Sequence, residues 1–123
     1  MKEEAKEWMK KANKDLKHAK NSLESRDFEW AQFASQQAAE KALKAVCIHK
    51  NIGLIKTHDL TMLARKLNAP RDILENCSLL NPFYTTTRYP DDEQDKRIKE
   101  DAAKDARKFS NKVVKWCKEQ IRT

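Results

Sequence analysis

The residues best suited to binding chemistry lie in one stretch of the 123-residue chain, from Tyr84 to Asp91. Two tyrosines, three threonines, an arginine and an aspartate fall within it. An arginine can hold a phosphate or carboxylate through two parallel hydrogen bonds, and a tyrosine ring can stack on a nucleobase. Tyr84, Arg88, Tyr89 and Asp91 are therefore candidate ligand-binding residues. The alternative is structural: Arg88 pairs with Asp91 or with a helix end and fixes a loop.

His58 is a second candidate, in the sequence Thr57-His58-Asp59-Leu60. A histidine can act as a base or a ligand near neutral pH. A histidine at the start of a helix also commonly caps that helix or hydrogen-bonds to a neighbouring one. Both interpretations stay open, and Thr57 is the expected cap of a short helix.

Positive charge favours an anionic partner. The net charge is +7 and the pI is near 9.4, which suits RNA, nucleotides or acidic protein surfaces. Basic residues follow helical spacing near the C-terminus on the face away from the apolar stripe, and no aromatic residue interleaves with them on that face. This stripe either binds a phosphate backbone or forms a solvated outer face. Its members are Lys104, Lys108, Lys112, Lys115, Lys118 and Arg122.

Several function classes are excluded by composition. A chain with one glycine contains neither a phosphate-binding loop nor a dinucleotide fingerprint. Cys47 and His49 lack a second pair of ligands, so we expect no metal and no cofactor. Three unpaired cysteines, a charged N-terminus and no apolar run of about 20 residues predict a cytoplasmic protein without a membrane segment.

Helical periodicity runs through the first half of the chain. Apolar residues that recur at alternating steps of four and three positions predict a first helix from about Glu3 to Ser25. They are Ala5, Met9, Ala12, Leu16, Ala19 and Leu23. Asp27 is the expected cap of a second helix, from Phe28 to Lys50, whose apolar face opens with Phe28 and Trp30. The second helix is rich in alanine, so neighbouring helices can approach it closely and we expect it at the centre.

The sequence of the second half of the chain predicts three further helices. A short helix carries Leu60 and Leu63, and Asn68 and Pro70 end it. The next helix begins near Pro70 and should kink or break near Asn81 because Pro82 follows. A last helix runs from about Asp92 to Arg122. Residues 1–123 are thus predicted to form a single all-α domain, an up-and-down antiparallel bundle of four long helices plus one short helix.

Five segments together resemble the HEPN family of small helical-bundle proteins. They are WMKKANKDLKHAKNSL, FEWAQFASQQAAEKALKAV, KTHDLTMLARKL, LNPFYTTTRYPD and the last helix. The resemblance implies a homodimer and kinship with the helical substrate-binding domain of antibiotic nucleotidyltransferases. It also implies a partner role beside a minimal nucleotidyltransferase, in pairs that look like toxin–antitoxin modules, and nucleotide binding. In that setting Lys41 and Lys44 would supply charge for phosphate.

Ribonuclease branches of the HEPN family carry an arginine followed within about two helical turns by a histidine. Here the last histidine is His58, so neither Arg88 nor any later arginine has such a partner, and Arg26 is too far from His49. We therefore expect a non-catalytic protein that binds a nucleotide or partners a nucleotidyltransferase. The alternatives are an atypical ribonuclease that uses His58 with Arg88 across a dimer, and a purely structural homodimer.

Overall fold

The computed structural model describes residues 2–86 and 96–122, and within these ranges it is helical without strands. Three long helices and three shorter ones follow one another along the chain. They are α1 (Glu3–Glu24), α2 (Phe28–His49), α3 (Leu60–Lys66), α4 (Arg71–Leu80), α5 (Phe83–Thr86) and α6 (Lys96–Arg122). The all-α bundle predicted from the sequence is confirmed.

The central helix is α2, as its alanine content predicts. Sixteen of its 22 residues are buried, and α1, α3, α4, α5 and α6 all pack against it. Ala38, Ala39 and Ala42 are fully buried, because small side chains allow backbones to approach closely. The turn from α1 to α2 uses Arg26 at φ 64°, and Asp27 stands at the N-cap of α2 without a side-chain hydrogen bond to the helix.

The segment between α2 and α3 places His58. Asn51 and Gly53 have φ values of 64° and 96° after the end of α2, a backbone that these residue types tolerate. The cap of α3 is Asp59, whose side chain accepts hydrogen bonds from the backbone N–H groups of Thr61 and Met62. The prediction that Thr57 caps this helix is wrong, because the helix begins at Leu60 and Asp59 is the residue next to it.

The expected break near Asn81 is confirmed. Helix α4 ends at Leu80, and a single turn, α5, begins at Phe83, since Pro82 cannot donate to the preceding turn. The Asn81 side chain accepts a hydrogen bond from the N–H of Leu60 at 2.8 Å and donates one to Asp59 at 2.9 Å. The break therefore ties the end of α4 to the start of α3.

The last helix, α6, is described from Lys96 onward. Lys99 donates to Glu29 at 2.7 Å, and Arg26 pairs with Glu100 at 3.2 Å. These contacts join the start of α6 to the start of α2. The predicted helix start at Asp92 lies outside the described residues.

The cysteines are buried, whereas one of the two aromatic residues at the start of α2 is exposed. Cys47, Cys77 and Cys117 are buried free thiols. Phe28 is buried, but Trp30 is 60% exposed, so the expectation that Trp30 opens the apolar face of α2 is wrong. None of the described helices is both long and apolar enough to cross a membrane.

Candidate functional site

A row of four rings crosses the face of the bundle where α2 meets α5. His58 stacks on Tyr84 with ring centroids 4.0 Å apart and planes 19° apart. Phe33 lies 6.0 Å from Tyr84, and Trp30 meets Phe33 edge to face at 5.8 Å. Two candidates that are 26 positions apart in the sequence, His58 and Tyr84, are thus in direct contact.

The His58 ring is fixed by a hydrogen bond to a buried carboxylate. Its Nδ1 lies 2.8 Å from Oε1 of Glu40. A carboxylate oxygen can only accept here, so Nδ1 carries the hydrogen. The second oxygen of Glu40 accepts from Nζ of Lys44 at 3.1 Å. The Glu40 and Lys44 side chains are 5% and 8% exposed, whereas that of His58 is 53% exposed, so the imidazole presents a fixed edge to solvent.

Gln36 extends this buried polar strip along α2. Its Nε2 donates to the backbone carbonyl of His58 at 3.2 Å, and Gln37 donates to its Oε1 at 2.7 Å. Gln36, Glu40 and Lys44 follow one another at steps of four and therefore share one face of the helix. Sequence reasoning missed Gln36 and Glu40, although one signal was present: both stand among alanines that are core positions.

Asp59 fixes the backbone beside His58. Its Oδ1 accepts from the N–H and hydroxyl of Thr61, at 3.0 and 2.6 Å, and from Asn81. The hydrogen bond from the Thr61 hydroxyl, with help from Asn81 and two backbone N–H groups, lowers the pKa of Asp59 below its ordinary 3.8. The segment that carries His58 is thus tied to both α3 and α4.

The two lysines predicted to bind phosphate lie in different places. Lys44 is buried, pairs with Glu40 and stands 5.6 Å over the ring of Trp8. Lys41 faces α1, where its Nζ donates to Oδ2 of Asp15 at 2.6 Å. The structure therefore groups Lys44 with His58 and Tyr84 and places Lys41 on the α1 side of α2.

The remaining candidates, Arg88, Tyr89 and Asp91, lie outside the described residues. Tyr84 belongs to α5, the last described turn before them. Arg88 is four positions after Tyr84 in the sequence.

Chemically, the arrangement can stack a planar group and accept a hydrogen bond. With Nδ1–H committed to Glu40, a neutral His58 leaves Nε2 as an acceptor. No three histidine, cysteine, aspartate or glutamate side chains of the described ranges are grouped so that they could hold a metal ion.

The basic stripe of α6 lies apart from this cluster. Lys104, Arg107, Lys108 and Lys112 line an open groove with Asn111 and with Leu23 of α1. Helix α6 carries ten basic and four acidic residues, a formal net charge of +6 against +7 for the whole chain.

Comparison with known proteins identifies relatives over the whole length. The family model of the HEPN domain matches residues 5–120. Protein TT1696 from Thermus thermophilus has a similar structure, with 30% identity, a TM-score of 0.87, and coverage of 97% of this chain and 99% of that one. ST0689, an archaeal HEPN homologue, is 33% identical with a TM-score of 0.81, covering 98% of this chain and 99% of that one.

A third similar structure is the HEPN domain protein tm0613 from Thermotoga maritima. It is 26% identical with a TM-score of 0.79, and the match covers 94% of this chain and 98% of that one. No match was found among curated proteins.

Proposed function

The chain belongs to the HEPN domain family, and we propose that it is a non-catalytic member that binds a nucleotide and serves as the accessory partner of a minimal nucleotidyltransferase. The observation that carries the proposal is the contact between His58 and Tyr84. It presents two stacked rings at the point where the chain leads into Arg88. Stacked rings suit a nucleobase, and an arginine four positions after Tyr84 in the sequence can hold a phosphate.

The lack of catalysis in this proposal rests on the sequence. Ribonuclease members of the family need a histidine shortly after an arginine, and no histidine follows His58. Without that imidazole the usual general acid or base of the motif is missing.

Calorimetric titration with ADP tests nucleotide binding. We expect Tyr84→Ala and Arg88→Ala each to weaken binding, because one removes a stacking ring and the other a phosphate contact. Arg65→Ala is the matched control, since Arg65 is exposed on α3. Unchanged affinity in Tyr84→Ala and Arg88→Ala would show that the residues of this cluster do not bind the nucleotide.

Affinity purification of the tagged chain from its native host tests the partner role. A stoichiometric small nucleotidyltransferase is the expected companion, and its loss in Arg88→Ala would show that Arg88 takes part in the contact. We further propose that the chain forms a homodimer, which light scattering of the same preparation tests. A chain that elutes alone as a monomer would contradict both parts.

A second function, ribonuclease activity, is favoured by one contact. The 2.8 Å hydrogen bond to Glu40 orients His58 as a carboxylate orients a catalytic histidine. In this alternative His58 would act with Arg88 of a second copy. Cleavage of RNA by the pure protein, abolished in His58→Ala and reduced in Glu40→Gln, would support it, and an intact RNA would exclude it.

A further inference from the structure

The outer face of α6 concentrates positive charge that the cluster at His58 and Tyr84 does not use. Residues 106–118 contain five basic residues and no acidic one, and the acidic residues of the helix all lie before or after this stretch. By contrast, basic and acidic residues alternate along α1, which carries six and five of them. The basic face of α6 consists of Arg107, Lys108, Lys112, Lys115 and Lys118.

The fold does not neutralise this basic face. None of its five side chains forms an ion pair or hydrogen bond with a residue in the described ranges. The preceding lysine of the helix, Lys104, does have a partner, since it pairs with Glu100 at 3.3 Å. Lys108, Lys112 and Lys115 are also exposed to solvent. Their charge is therefore available to an anionic partner.

The five cations spread across the whole width of the exposed side of the helix. With 3.6 residues per turn, Arg107 and Lys118 are about three turns apart and share one edge. Lys112 lies toward the opposite edge, with Lys108 and Lys115 between the two edges. Eleven residues of helix rise about 16 Å, so the basic face is a strip of that length and one helix wide.

The apolar residues of α6 point into the core, which limits the kinds of partner. Val113 and Cys117 are fully buried, and Phe109 and Trp116 are half-buried and pack against the core. A helix that binds a membrane surface needs an exposed apolar side, and a site for single-stranded nucleic acid needs rings on which bases stack. Between residues 106 and 118 no large apolar side chain is exposed.

A protein partner fits this face poorly for a related reason. Protein interfaces are anchored by aromatic and other large side chains at their centre, and here lysines occupy the centre. In a two-fold interface between copies of this chain, the same cations of both copies would meet and repel one another. The phosphate backbone of a nucleic acid duplex needs neither an apolar anchor nor a stacking ring, because lysine and arginine bind it through charge.

Duplex DNA matches both the width and the charge of the basic face. An α-helix with its side chains is about 10–12 Å wide, and the major groove of B-DNA is about 12 Å wide. Cations at the two edges of the helix would then meet phosphates of the two strands. The major groove of an RNA duplex is too narrow for this arrangement. We propose that the basic face of α6 binds duplex DNA along the major groove through phosphate contacts, without reading its sequence.

This inference does not rest on the proposed nucleotide site. The ring row is made by Trp30, Phe33, His58 and Tyr84, and α6 contributes no residue to it. The two surfaces can therefore be tested separately in the same protein.

Fluorescence anisotropy with a labelled duplex of roughly 20 base pairs tests the proposal, because phosphate contacts make binding depend on salt. Five contacts predict a slope of about −4.5 when the logarithm of the binding constant is plotted against that of the salt concentration. The Lys108→Gln/Lys112→Gln variant should reduce the steepness by about two and weaken binding roughly 60-fold at about 0.1 M salt. A second duplex of unrelated sequence should bind equally well.

The matched control is Arg65→Gln/Lys66→Gln. It removes the same charge from two exposed positions of α3, a helix that packs against α2 and α4. The slope and affinity of this control should equal those of the wild type. Circular dichroism should show wild-type folding for both double variants, because all four positions are exposed.

The outcomes distinguish the basic face from other partners and from the proposed function. Absence of binding at low salt, or an equal loss in the control variant, would overturn the proposal. It would also be overturned if a single strand, an RNA duplex or phosphatidylserine vesicles bound more tightly than the DNA duplex. Calorimetry with ADP should give the Lys108→Gln/Lys112→Gln variant the affinity of the wild type. A chain that binds the duplex but not ADP would support this inference and contradict the nucleotide site.

Discussion

Replacement of Lys44 by methionine should destabilise the bundle strongly, because the ammonium group neutralises a buried carboxylate. The Lys44 and Glu40 side chains are 8% and 5% exposed and 3.1 Å apart. Removal of one partner from a buried ion pair costs about 3–5 kcal/mol. Glu40 keeps its hydrogen bond from His58, so we expect the lower value, about 3 kcal/mol. For a domain of this size that is a fall of about 10 °C in the melting temperature.

Thermal unfolding followed by circular dichroism measures this effect, and a double-mutant cycle isolates its cause. The Glu40→Gln/Lys44→Met variant buries no charge at either position, so its loss of stability should be no more than about half that of Lys44→Met alone. Lys17→Met is the control: Lys17 is exposed, and its replacement should change stability by less than about 0.5 kcal/mol. A Lys44→Met variant as stable as the wild type, or a double variant no more stable than Lys44→Met, would refute the account of a carboxylate neutralised by Lys44.

Three further predictions concern the cap of α3, the thiols and the core. The pKa of Asp59 is lowered by hydrogen bonds in the folded state, so its charge stabilises the fold at neutral pH. The difference in melting temperature between wild type and Asp59→Asn should therefore shrink as the pH falls below 3.8, and a gap that widens in acid would contradict this sign. Burial raises the pKa of Cys77 to about 12, so native protein at pH 8 should resist alkylation by iodoacetamide, as mass spectrometry would show, until denaturant exposes the thiol. Rapid native labelling of Cys77 would contradict its burial. Leu43→Ala should lower the free energy of unfolding in urea by about 3 kcal/mol, because Leu43 is fully buried, and a loss below about 1 kcal/mol would indicate a core that closes around the gap.

The positions of the helices follow from local sequence signals. Alanines at helical spacing predict the central place of α2, and Pro82 predicts the break after Leu80. Such signals act over one or two turns, which is why periodicity finds them. The cap of α3 is harder to predict because two suitable residues, Thr57 and Asp59, lie close together, and only the actual start of the helix decides between them.

The site was predicted only in part. Residue type and neighbouring sequence identify His58 and Tyr84 as separate candidates. Their contact depends on how α5 packs against α2, which the sequence does not show. Glu40 was missed because a glutamate four residues before Lys44 is typical of an exposed helical pair. Its burial results from the segment between α2 and α3, which covers it with His58. Sequence spacing gives the register of a helix, whereas burial of a charge depends on what another segment places over it.

Helix α2 carries both the buried charges that hold His58 and a ring of the candidate site, and this decides which variants can test binding. Glu40 and Lys44 hold the segment that carries His58, whereas Phe33 of the same helix lies 6.0 Å from Tyr84. Replacement of Lys44 leaves the buried Glu40 carboxylate without its cation and destabilises the fold. Lys44 is consequently a poor probe of phosphate binding, although its charge and position in the sequence suggest that role. Tyr84→Ala separates binding from stability better, because its removal leaves no buried charge behind.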